Sequence, residues 1–353
     1  MGGSVVSAGG IGGATQATGG SICDVTVHAP NSIQAAINHS AIPGTVCIAA
    51  GLYQENLQLR DGVNIRGTGA DAMLCGSIEA DAAITWGAEL SQLSIFDQVG
   101  ASSPVHLSLR DLDIATPPPD GCRVQAQGAV RIKRQGAGSL RFSANNVRVG
   151  SPGFDLSIVP AGSPLDDEIR ITQSRCVSTF QCYDFLRLQL DTQPGEQLAL
   201  GSRLSVDISN NLVQNIVLEG MTVNFPVVLQ SADANQVLVK IHHNTLISQG
   251  PFNNDYGILF WLKPGVPIVV ANNAIAFFTQ PLNYGDSPQL LQVANMLSSD
   301  ASSKSWFENF DAGNFLPSVG SPLLAAGDAT YGTPTDIDGK PRVGQYDIGA
   351  YQR

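Results

Sequence analysis

The sequence predicts an all-β fold: a right-handed, single-stranded parallel β-helix with a short N-terminal capping helix and an irregular C-terminal cap. Three observations carry that prediction. The first is a strand template, Val239-Lys240-Ile241-His242-His243-Asn244-Thr245-Leu246, with apolar residues five and three places before Asn244 and two after it. Its frame recurs around Arg110, Asn145, Ser174, Asn211, Asn244 and Asn273, at gaps of 35, 29, 37, 33 and 29 residues by subtraction. The second is that every slot of the frame is apolar: Val105, Leu140, Ile169, Val206, Val239 and Ile268, then Leu107, Phe142, Ile171, Ile208, Ile241 and Val270, then Leu112, Val147, Cys176, Val213, Leu246 and Ile275. Chance rarely gives this in a chain that is 43% hydrophobic. The third is that charged residues make up only 14%, below the usual quarter, leaving Ser, Thr, Asn and Gln as the polar surface.

A two-residue apolar period is a strand with one buried face. Repeated about every thirty residues it marks a solenoid, whose thin rungs share one core by stacking. Asn at position zero suits a turn, because it tolerates the left-handed conformation. Asn stacked at successive corners also forms a hydrogen-bonded ladder. The competing architecture is a two-sheet sandwich.

In chain order, residues 1–20 are Gly, Ser, Ala and Thr, with little to bury, and read as a disordered leader or linker. No signal peptide is visible in them. Residues 21–280 hold the β-helix with its cap, and 281–353 the last rungs and C-terminal cap of the same domain. A strand over Ile22–Val27 precedes an amphipathic helix over Asn31–Asn38, with Asn31 or Ser32 as N-cap and Ile33, Ala36 and Ile37 as inner stripe. It plugs the open end of the solenoid. Strands follow at Thr45–Ile48 and Val63–Gly69. Residues 72–104 fit the template poorly, although Ile84, Leu90, Leu93 and Ile95 continue the rungs. Pro117-Pro118-Pro119 stiffens a turn. Regular rungs run to about Phe278, with strands of other sheets at Ala129–Ile132 and Val227–Leu229.

The net charge of −11 opposes general nucleic-acid binding, and no apolar run is long enough to span a membrane. Six cysteines fit an oxidising compartment. Proximity pairs Cys23 with Cys47, Cys75 with Cys122 and Cys176 with Cys182, with free buried thiols as the alternative. No Cys/His cluster indicates a metal site, and no cofactor is expected.

Ser32-Ile33-Gln34-Ala35-Ala36-Ile37, Gly44-Thr45-Val46 and Gly51-Leu52-Tyr53-Gln54-Glu55-Asn56 together resemble the opening of pectate-lyase-like and pectin-methylesterase-like β-helix proteins. That resemblance implies fold rather than reaction. Ser321–Asp328, Thr335–Arg342 and Tyr346–Tyr351 resemble the C-terminal signature of bacterial cell-surface β-helix proteins called choice-of-anchor Q proteins, with Gln352 where an acidic residue is usual. The resemblance implies an exported bacterial protein with an extracellular or cell-surface location. Asp336-Ile337-Asp338-Gly339 also looks like a fragment of a calcium loop without its closing ligands. A plain turn that plugs the C-terminal end is the favoured reading, and calcium is the one candidate ion.

The template register places His106, Arg141, Arg170, Asp207, Lys240 and Val269 in one outward column and Ser108, Ser143, Thr172, Ser209, His242 and Ala271 in the next. Arg131, Lys133 and Arg134 extend this basic strip. Its expected use is to bind an acidic polysaccharide, whose carboxylates suit Arg. His106, Arg141 and Arg170 are the substrate-binding candidates. Cleavage by β-elimination needs a base and cations that stabilise the carbanion. Lys240 or His242 is the candidate base, oriented by Asp207. Hydrolysis needs two carboxylates, and only Asp207 is evident. The alternative from another class is a structural or adhesive surface protein whose charges form a cross-strand ladder.

Overall fold

The computed structural model describes residues 23–353 apart from 70, 115–117, 123–128, 161, 177–181, 192–197, 218, 226–235, 249, 251–254, 263–265 and 285–288. The expected leader, the turn at Pro117 and the strand Val227–Leu229 lie outside the described residues, wholly or in part. A turn of the chain lays down up to three short strands among the described residues. One turn reads Arg203–Ser209, Leu212–Ile216 and Glu219–Phe225, and the next reads Gln236–His242, Thr245–Ser248 and Tyr256–Leu262. The first two strands of each turn stack into a 19-stranded sheet bent at a corner, and the third into a 9-stranded sheet. Pairing between turns is parallel, Val206 to Val239 to Ile268 and Val223 to Phe260. The chain is a parallel β-helix whose strands run on to Met296–Ser298.

Alternation builds the interior. Val206, Ile208, Val239, Ile241, Ile268 and Val270 all face inward and are buried, each such burial contributing about 1.5–3 kcal/mol. Phe142, Phe154 and Phe185 meet edge to face, with centroids 6.2 and 5.4 Å apart. Residues 72–104 do continue the rungs, with a register break opposite Val105–Leu107 and a left-handed Gly87. The entry helix spans Ile33–His39, with Ser32 as N-cap accepting from the Ala35 N–H and Ile33 and Ile37 buried. Glu55 also accepts from the Ile33 N–H at 2.6 Å, where the helix dipole favours an anion. Cys23–Cys47, Cys75–Cys122 and Cys176–Cys182 are disulfides, as proximity suggested.

The corner is set by a left-handed column: Gln92, Asp111, Asn146, Gln173, Asn210, His243, Asn272 and Ala294 all have φ between 49° and 55°. This corrects the expectation for the template Asn. The left-handed residue stands one place earlier, and Asn211, Asn244, Asn273 and Asn295 turn inward. Their side-chain oxygens accept from the backbone N–H of Ser174, Asn211, Asn244 and Asn273 at 2.8–3.0 Å. Their amides donate to Ile171, Ile208, Ile241 and Val270 carbonyls. The ladder satisfies backbone groups that the sharp bend would otherwise orphan in the core.

The C-terminal segment was expected to plug the end of the coil. Instead it lies along the side as a strap over the corner. Leu323, Ile337, Ile348 and Ala350 form a second apolar cluster with the outward residues Leu212, Ile247, Ala274 and Ala276. The corner side chains hold its backbone: Gln173 and Asn210 donate to the Asp336 and Thr335 carbonyls, and Asn272 to that of Asp328. Arg342 is 5% exposed and donates to the Asp347, Gly349 and Ala350 carbonyls and to Asn210 Oδ1. Asp336 accepts from the N–H groups of Asp338, Lys340 and Gln352, so its carboxylate organises the strap turn.

Candidate functional site

On the strands before the corner, alternate residues face outward and stack in columns. One column reads Glu89, Ser108, Ser143, Arg170, Asp207, Lys240 and Val269. The column on its corner side reads Ser91, Arg110, Asn145, Thr172, Ser209, His242 and Ala271. The column on the far side holds His106, Arg141, Glu168 and Ser205. Arg170, Asp207 and Lys240 are therefore consecutive, as expected, while His106 and Arg141 belong to the neighbouring column. The template sat two residues early on the first two rungs, where Leu112 and Val147, not Arg110 and Asn145, occupy the ladder position. A slip of two leaves every side chain on its correct face, so apolar alternation is blind to it.

The correction changes the chemistry of the strip. It is not uniformly basic, because Glu89 and Glu168 stand within it. Arg131 and Lys133 lie on the other sheet, and Arg134 is buried against Asp167, its Nε 3.8 Å from the carboxylate. His106, Arg141 and Arg170 do come together, in a cleft of about 500 Å3 also lined by Trp86, Glu89 and Glu168. Asp207 and Lys240 lie one and two turns beyond Arg170, outside the lining of the cleft, as does His242.

Trp86 lines the cleft and stands 74% exposed. Asp61 fixes its backbone, accepting from the Trp86 N–H at 2.7 Å and from the Thr85 hydroxyl. The Asp61 carboxyl, although burial opposes its ionisation, is held below the usual range by these donors. His106 bonds Ser139 Oγ through Nε2 at 2.8 Å. Arg141 pairs with Asp166, Arg170 with Glu168 at 3.4 Å, and Glu89 with Arg110 at 2.7 Å. The two cleft carboxylates, Glu89 and Glu168, are three turns apart by register, about 14 Å along the stack. Glycosidase carboxyl pairs stand only about 5–9.5 Å apart.

Beyond the cleft, Asp207 and His242 form a buried-edge pair, Nε2 to Oδ1 at 3.2 Å. His242 Nδ1 donates to the Tyr331 carbonyl at 3.0 Å, so strap and sheet hold the ring from both sides. Burial works against the Asp207 charge, yet the His242 contact, the Ser209 hydroxyl and Arg170 hold its carboxyl below the ordinary range. Lys240 makes no hydrogen bond or ion pair among the described residues. Among those residues no cluster of three His, Cys, Asp or Glu side chains is placed to hold a metal.

Sequence reasoning missed Trp86, Glu89 and Glu168. Trp86-Gly87 interrupts an otherwise alternating run from Ile84 to Leu90, and that break was the available signal. Glu168 was hidden by the register slip, and Glu89 lies within residues 72–104, which the template does not frame.

The sequence matches no protein-family model. No curated protein matches it. Among solved structures it is similar to the crystal structure of pectate lyase Pel9A, with a TM-score of 0.51 and 13% identity over 95% of this chain and 98% of that one. At that identity the likeness establishes the fold, a parallel β-helix.

Proposed function

We propose that this protein is exported and binds an acidic polysaccharide in the cleft between Trp86 and Arg170. The observation that carries the reading is an exposed indole that lines one cleft with two guanidiniums on successive turns. An indole offers an apolar face with little conformational cost, on which a sugar ring can stack. Arg141 and Arg170 suit planar carboxylates. Their present partners, Asp166 and Glu168, have side chains 60% and 48% exposed. Such surface pairs are worth about 0–1 kcal/mol, so a ligand carboxylate exchanges for them at low cost. Three disulfides support an oxidising, extracellular or cell-surface setting. The pectate lyase likeness supports a polysaccharide as the ligand class.

Cleavage by β-elimination is the finer reading, and one observation favours it: Lys240, unpaired among the described residues, stands in line with Arg170 and Asp207. Lys240 is the proposed base, Arg170, two turns away, the group that neutralises the carboxylate, and His242 the group that fixes Asp207. The alternative, a non-catalytic surface protein, draws support from the pairing of both cleft arginines. Affinity electrophoresis through uronate, sulfated and neutral polysaccharides tests binding, and the ultraviolet absorbance of unsaturated uronates tests turnover. Retardation by uronate polymers that is lost in Arg170→Ala supports the binding site. Absorbance that rises in the parent and not in Lys240→Ala supports the lyase. No retardation by any polymer removes the glycan reading.

A further inference from the structure

The strap covers only half of the corner groove. Along the left-handed column, Asn210, His243 and Asn272 are buried beneath it, Gln173 is half-buried at its edge, and Asn146, Asp111 and Gln92 are exposed. The uncovered half is a groove of about 480 Å3, floored by Leu93 and Leu112 and walled by Gln92, Asp111, Asp113, Asn146 and Arg148. It repeats the chemistry that the strap uses. At the strap's edge, Gln173 donates to the Asp336 carbonyl and Arg175 pairs with the Asp338 carboxylate at 2.7 Å. One turn away, Asn146 and Arg148 stand in the same two columns, Arg148 directly beside Arg175.

We propose that this open half-groove docks an extended polypeptide segment of a partner protein, one carrying a Lys or Arg side chain. Continuity with the strap's own seat selects a polypeptide. Column amides on Gln173, Asn210 and Asn272 already donate to three strap carbonyls, and Asn146 and Gln92 offer the same donor in the open half. Charge selects the cation. Arg148 and Asp113 neutralise each other at 2.8 Å. Asp111 accepts one amide hydrogen from Asn146, and its nearest cation, Arg110 at 4.0 Å, is engaged by Glu89 at 2.7 Å. The groove is thus left with net negative charge at Asp111. This inference does not depend on the glycan cleft, which lies on the other side of the corner.

The probe is a fluorescein-labelled peptide of the strap sequence from Thr333 to Arg342, titrated by anisotropy into the full chain. The expected result is saturable binding that weakens about tenfold or more in Asp111→Asn and in Asn146→Gly. Both replacements tolerate the left-handed backbone, so the fold is retained, which the thermal midpoint checks. A peptide with its Lys and Arg changed to Gln should bind about tenfold more weakly. Absence of binding overturns the proposal. So does binding unchanged in both variants, because the peptide then exchanges with the strap. Binding of a uronate oligosaccharide that is lost in Arg148→Ala would assign the groove to glycan instead.

Discussion

Replacing Asn244 by Ala tests the ladder that sets the corner. Its side-chain oxygen accepts from the Asn211 N–H at 3.0 Å and from Asn211 Nδ2 at 2.9 Å. Its amide donates to the Ile208 carbonyl at 2.9 Å and to the Asn273 oxygen at 3.0 Å. Asn244 is fully buried, so no water replaces these partners. Alanine therefore leaves the Asn211 backbone N–H and one Asn211 amide hydrogen orphaned. Each buried orphan costs about 1–3 kcal/mol, which makes the expected loss about 4 kcal/mol. Serine should cost about half as much, because Ser174 holds the same corner position and its Oγ accepts from the Val147 N–H at 3.2 Å. Urea unfolding followed by far-ultraviolet circular dichroism measures both, and amide exchange at Asn211 localises the effect. A loss below about 1 kcal/mol for alanine, or serine no better than alanine, would refute the argument.

Three further outcomes follow from buried groups and cross-links. Burial, with the charges of Arg342 and His242, pushes the His243 ring down to about 2. Because the folded value lies below the unfolded 6.5, stability is complete above that pH and falls by about 1.4 kcal/mol per unit below it, reaching a loss of about 2.7 kcal/mol near pH 4.5. His243→Asn, matching its column neighbours, should flatten that acid limb in denaturation at graded pH. The lowered Asp207 carboxyl adds a loss only below its usual 3.8, a separate window. Arg134→Met leaves Asp167 buried without its cation, at a cost of about 3–5 kcal/mol in the same urea assay. Removing Cys75–Cys122, which closes 47 residues, should cost about 4 kcal/mol against about 2 for Cys176–Cys182, which closes 6.

The fold was legible because parallel stacking leaves an apolar residue at fixed offsets on every turn, from Val105 to Ile275. The helix at Ile33–His39 was legible because Ser32 and the Ile33–Ile37 stripe signal it locally. The register of the first two rungs was not, since Asn145 beside Asn146 imitates the later ladder while the true ladder position there is apolar. That two-residue slip moved Arg141 next to Arg170 on paper and hid Glu168. The strap was misplaced for a different reason: its partners, Asn210 to Thr335 and Thr245 to Ala350, lie 125 and 105 residues apart in sequence. No local pattern carries such contacts. The site residues divide along the same line. Asp207 between Arg170 and Lys240 follows from the repeat, whereas Trp86 depends on an irregular rung.

The most direct test of the central claim is a titration of the protein with a uronate oligosaccharide, followed by tryptophan emission, in the parent, Trp86→Ala and the Arg141→Ala/Arg170→Ala pair. Trp86 is surface-exposed, so its removal should leave the fold intact. The cleft account predicts a saturable emission change in the parent, none in Trp86→Ala, and at least about tenfold weaker binding in the arginine pair. Equal binding by all three proteins, or an unchanged signal with every uronate, would contradict it.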